Sequence, residues 1–136
     1  MESEWPNCPR YFKEQFDKLK YKFPGAEDIE NNYSQSFQDM FVLTMLDGKR
    51  KGVYLEIGAD QPKVISNTYL LEKEFDWMGV SFELDGDKVT YFNSIRRNKA
   101  ICADATDYDY EFLLSERNYP EPVSYTHLTL PTICSV

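Results

Sequence analysis

The chain has 136 residues, 42% hydrophobic and 28% charged, which is the size and composition of one globular domain. It is too apolar and aromatic to be disordered, and neither Gly nor Pro is enriched enough for a fibre or a linker. Fifteen basic residues against 23 acidic ones give a net charge of −8. That charge argues against nucleic acid and anionic membranes as partners and leaves a cationic or zwitterionic small ligand open.

No run of about 18 apolar residues is present, so no membrane span is expected. The opening residues carry acids and no apolar signal region, and the expected location is the cytoplasm. Three cysteines (Cys8, Cys102 and Cys134) fit neither a zinc spacing nor a disulfide framework, and no metal site is expected.

Residues 1–32 read as a helical lead-in. Pro6 and Pro9 break the first ten residues, Phe12, Phe16, Leu19 and Phe23 then recur at helical spacing, and Pro24-Gly25 stops the helix. Its aromatic face reads as packing. A second helix is expected from about Ser34 to Leu46, capped by Ser34 or Ser36, with Asp39 in the first turn, where the helix dipole favours an anion. Phe37, Phe41 and Met45 form its expected buried face, broadened by Met40 and Leu43. Residues 47–52 read as a solvated basic turn.

Val53 to Ile57 is a strand, apolar except for Glu56, and Gly58 stops it. Residues 66–75 read as a helix begun by Ser66 or Asn67, with Leu70 or Leu71 and Phe75 inward. Residues 79–83 are a second strand ending at Glu83. Residues 87–97 are a helix with Val89, Phe92 and Ile95 inward. Residues 100–103 are a third strand, with Asp104 just beyond, and Tyr110 to Glu116 begins another helix. Short apolar strands alternating with amphipathic helices predict an α/β fold with a parallel, doubly wound sheet.

In such sheets a ligand sits at the carboxyl ends of the strands. Glu56, Glu83 and Asp104 all fall there. Gly58 lets a ligand approach the backbone, an acid ending the second strand can accept both ribose hydroxyls of an adenosine, and an acid after the third can accept the adenine amine. The 58–62 loop has one glycine and adds Asp60, which disfavours the pyrophosphate of NAD(P) and tolerates S-adenosylmethionine. An NAD(P)-binding domain and a non-enzymatic interaction module are the alternatives.

Five segments carry a family resemblance: YSQSFQD (33–39), YLEIGADQP (54–62), ISNTYLLEK (65–73), GVSFE (79–83) and CADAT (102–106). Over about residues 33–120 the chain resembles the FkbM family of S-adenosylmethionine-dependent methyltransferases. The resemblance implies a class I Rossmann-like fold and O-methylation of a small-molecule or sugar-type acceptor. It implies that Glu56 and Gly58 hold the methionine end of the cofactor, with Ala59 and Asp60 continuing that loop. It implies that Asn67 orders the loop and helix start, that Glu83 binds ribose, and that Asp104 and Ala105 lie on the adenine side. Gln61-Pro62 departs from the glycine or His-Pro that members carry there. No catalytic base can be named; Asp39 and Asp60 qualify by acid type alone.

Residues 123–136 stand apart, because they contain no Asp, Glu, Lys or Arg. Residues 123–132 resemble a translated sequencing-library transposon end, residue for residue, and His127, the only histidine, falls within them. Residues 33–122 are accordingly expected to be the N-terminal half of a methyltransferase domain. The strands that complete the sheet and the acceptor pocket are expected to be missing, leaving an inactive and aggregation-prone fragment.

Overall fold

The computed structural model describes residues 21–117. The expected helix over Phe12, Phe16 and Leu19 and the 123–136 tail lie outside them. Phe23, its last expected member, is buried in a non-helical segment that leads into a 3-10 turn at Ala26–Asp28.

Three strands, β1 (Val53–Ile57), β2 (Met78–Glu83) and β3 (Ala100–Cys102), form a parallel sheet in the order β1-β2-β3. Helix α1 (Gln38–Met45) precedes the sheet, α2 (Tyr69–Phe75) and α3 (Gly86–Ile95) make the two crossovers, and α4 (Tyr110–Arg117) follows. Tyr54 faces the same side as the α1 and α2 cores, and Ala100 the same side as Val89 and Phe92 of α3. Val80, Phe82, Leu55 and Ile101 pack with Leu113 of α4 on the other side. The sheet is therefore covered by helices on both faces, as expected for a Rossmann-like α/β arrangement. No helix among the described residues is long and apolar enough to cross a membrane.

Two expectations for the first helix fail. It begins at Gln38 rather than near Ser34, because Phe37 takes a left-handed conformation (φ 61°) and breaks the helical path. Phe37, not Ser34 or Ser36, occupies the cap position, although the Ser34 hydroxyl accepts from the Asp39 amide of the first turn at 3.2 Å. Ser34 instead belongs to a buried knot around Asp39, whose carboxylate accepts hydrogen bonds from the backbone of Tyr33 (2.9 Å), Ser34 (3.1 Å) and Met40 (2.8 Å), the Asn32 amide (3.2 Å) and the Ser34 hydroxyl. Burying Asp39 sets the rotation of the helix. Met40, Val42 and Leu43 turn inward, while Phe41 and Met45 are 57% and 67% exposed.

The remaining elements shift by small amounts. Helix α2 starts at Tyr69 because the Ser66 hydroxyl accepts from the Thr68 and Tyr69 amides and holds the preceding residues in a turn. Asp85 caps α3 by accepting from Asp87 and Lys88, and Ile95, expected inward, is exposed at its end. In β1 the buried positions are Tyr54 and Glu56, and Ile57 reaches solvent.

Two glycines shape the β1–β2 pairing. Tyr54 is paired with Gly79 across the strands. A Cβ on Gly79 would stand 2.5 Å from three carbons of the Tyr54 ring, so the ring lies directly over the bare backbone. Trp77 covers Gly52 in the same manner, and its indole N–H donates to the Lys49 carbonyl at 2.7 Å.

Candidate functional site at the strand carboxyl ends

The carboxyl ends of the strands bring several predicted residues together. Gly58 takes φ 75°, and both Gly58 and Ala59 donate their amides to the Phe82 carbonyl, at 2.8 and 3.1 Å. This ties the start of the post-β1 loop to the end of β2. Nothing lies within 4 Å of where a Gly58 Cβ would stand, so the loop opens onto free space at that point. Asp60 and Ile65 are also left-handed, at 51° and 56°. For a β-branched residue such as Ile65 that is a strained conformation, of the kind that surrounding packing must hold in place.

Glu83 ends β2 and is bound into the same loop. Its Oε2 accepts from the Asp60 amide at 2.9 Å, and its Oε1 accepts from the amides of Leu84 (2.9 Å) and Asp85 (3.2 Å). A carboxylate has about four lone-pair sites, so Glu83 retains room for about one further donor. Sequence reading expected it to take both ribose hydroxyls. Accepting the second would require displacing one of these backbone amides.

Asp104 stands two residues past β3. Its Oδ1 accepts from both the amide and the hydroxyl of Thr106 (2.8 and 2.7 Å), and those bonds hold its carboxyl below the usual aspartate value. Its Oδ2 accepts no hydrogen bond among the described residues and faces solvent. Ala105 turns inward beside Val80, Phe82 and Leu113, while its carbonyl accepts from the Tyr110 hydroxyl.

Glu56 is 4% exposed. Its Oε1 accepts from the Ser81 hydroxyl at 2.8 Å and the Thr68 hydroxyl at 3.2 Å, and its Oε2 has no hydrogen-bond partner among the described residues. Burial raises its proton affinity above that of an ordinary glutamate, and the nearby Arg96 guanidinium opposes this. Asn67 is 5% exposed, and its side chain makes no hydrogen bond among the described residues. Asp39, in the first turn of α1, lies fully enclosed in its knot, so its carboxyl has no path to an acceptor hydroxyl.

Two residues of this region were not singled out by sequence reading. Lys88 of α3 pairs with Asp60 at 2.6 Å. The negative charge expected to repel a pyrophosphate is therefore offset, and that part of the loop argument weakens. Arg96, just after α3, is 1% exposed and donates to the Pro62 carbonyl (2.9 Å), Glu72 (3.0 Å), Tyr54 (3.0 Å), Thr68 (3.0 Å) and Ser66 (3.3 Å). Sequence reading places it only near the end of the 87–97 helix, and the fold is what shows its partners.

No protein-family model, curated protein or solved structure matches this chain.

Proposed function

We propose that this chain binds S-adenosylmethionine at the carboxyl ends of β1, β2 and β3, as part of an FkbM-type methyltransferase acting on an oxygen of a small-molecule or sugar-type acceptor. The observation that carries the reading is the joining of Gly58 and Glu83. An open, left-handed glycine and an acid with spare accepting capacity are locked together through Phe82 and Asp60. In this reading Glu83 accepts a ribose hydroxyl, the free Oδ2 of Asp104 accepts the adenine amine, and Glu56 and Asn67 face the amino-acid end. The cofactor supplies the electrophilic methyl group, and the residues here bind and orient it.

Lys88 supports a second reading, NAD(P) binding, because its ammonium group stands beside the loop and could meet a phosphate. The start of α2 speaks against it. Dinucleotide sites rest the pyrophosphate on a free helix N-terminus that follows a short glycine-rich turn. Here nine residues separate Gly58 from Thr68, and the Thr68 and Tyr69 amides are already taken by Ser66.

Calorimetry of the full chain with S-adenosylhomocysteine and with NADH separates the two. S-adenosylhomocysteine binding that weakens in Glu83→Gln supports the methyltransferase reading. NADH binding without S-adenosylhomocysteine binding, or binding of neither, overturns it.

A further inference from the structure

The Arg96 side chain makes five hydrogen bonds, and none of the roles above uses it. Its five acceptors come from β1, from the loop between β1 and α2, and from α2 itself. Three of them, the Pro62 carbonyl and the Ser66 and Thr68 hydroxyls, belong to the stretch that carries the strained Ile65 and leads to Asn67. The guanidinium also lies over the Phe92 ring, 4.8 Å from its centroid, which fixes its plane.

The polarity of the bonds links Arg96 to Glu56. Arg96 Nη2 donates to Thr68 Oγ1, so the Thr68 hydroxyl proton is free to point onward, and it donates to Glu56 Oε1. Charged and titratable groups approach Glu56 from three elements: Arg96 after α3, Glu72 of α2, and Tyr54 of β1. Tyr54 is a neutral phenol, pushed up to about 12 chiefly by burial. Glu72 is committed to Arg96 at 3.0 Å and to the Asn98 amide at 2.7 Å. One guanidinium thus serves two buried carboxyls, and the cluster is one cation short when both are ionised.

We propose that Arg96 is a positioning residue for this site: it clamps the 62–68 loop and, through Thr68, presents Oε2 of Glu56 as the seat of a ligand's ammonium group. The missing cation is then supplied by the ligand, which selects for a nucleoside carrying an amino acid over one without it. This rests on the S-adenosylmethionine reading and adds how its amino-acid end is chosen.

The test compares two probes by calorimetry on the full chain, S-adenosylhomocysteine, which has the ammonium group, and 5′-methylthioadenosine, which lacks the amino acid. Thr68→Val removes the relay and leaves the clamp's other bonds, and Arg96→Met removes both. Each variant is expected to weaken S-adenosylhomocysteine by about tenfold or more, the worth of one charge-assisted bond, and to leave 5′-methylthioadenosine within about twofold. Equal losses for both probes, or no loss, would overturn the proposal. If Arg96→Met does not fold, Thr68→Val alone decides. Carbon-13 NMR titration of the Glu56 carboxyl in the ligand-free chain gives an independent readout. The midpoint should move upward in Thr68→Val, and an unmoved midpoint contradicts the relay. Should neither probe bind the unaltered chain, the cofactor reading falls whatever the titration shows.

Discussion

Gly79→Ala is a direct test of the β1–β2 packing. The new Cβ would sit 2.5 Å from Cγ, Cδ2 and Cε2 of Tyr54. Carbon atoms prefer about 3.5–4.0 Å, so the ring must retreat by about 1 Å or more. The hydroxyl at its far end accepts from Arg96 at 3.0 Å and from Asn98 at 3.2 Å, and a shift of that size carries it out of bonding range. Overpacking costs about 1–3 kcal/mol and loss of a bond to a charged group about 1.5–3 kcal/mol. The expected loss is about 3–5 kcal/mol, read as a lowered urea midpoint with an unchanged slope. Made in a Tyr54→Ala background, the same substitution should cost nothing or stabilise by about 0.5–1 kcal/mol, the backbone entropy gained by removing a glycine. An equal cost in the two backgrounds, or a cost below about 1 kcal/mol with Tyr54 present, would refute the stacking argument.

Asp39→Ala leaves the backbone amides of Tyr33 and Ser34 without their carboxylate acceptor and should destabilise by about 3 kcal/mol, visible as a lower melting temperature; a change under about 1 kcal/mol would show the knot to be dispensable. Burial raises the proton affinity of both Asp39 and Glu56, so the folded chain holds more protons than the unfolded chain above their ordinary values of 3.8 and 4.5. Stability must then fall as pH rises from those values through the folded ones. Urea titrations across that range should show this slope, and Glu56→Gln should flatten it; a slope of the opposite sign that survives in Glu56→Gln would contradict it. Gly58→Ala places a methyl in open space at φ 75° and should cost only about 1–2 kcal/mol of stability. It should weaken S-adenosylhomocysteine much more strongly than it weakens the fold, and undiminished binding would remove Gly58 from the site.

The crossovers were legible because each strand is a short apolar run between breakers and each helix carries its own inward side chains. Glu56 was legible as a lone acid in such a run. The first helix was misjudged because QDMFVLTM is apolar on nearly every side, so periodicity does not fix its rotation. The choice is made by Asp39, whose bonding partners lie five to seven residues earlier. Serines near a helix start read as caps, and Ser34 does accept the Asp39 amide, but from outside the cap position and while donating to the Asp39 carboxylate. Lys88 and Arg96 carry no local signature at all. Their roles depend on partners 24 to 42 residues away for Arg96 and on the turn after β1 for Lys88.

Those long separations bear on the order in which the chain becomes rigid. The 58–68 loop looks like a local connection, but its fastening comes from a residue that follows the second crossover, 34 residues after Pro62. The loop cannot settle until β2 and α3 have docked, so its order belongs to the same cooperative unit as the end of α3. Amides of residues 66–72 and those near Arg96 should therefore exchange with solvent deuterium at a common opening rate. A substitution at the exposed end of α3 can then slow or free a loop that is remote from it in sequence but packed against the same helix.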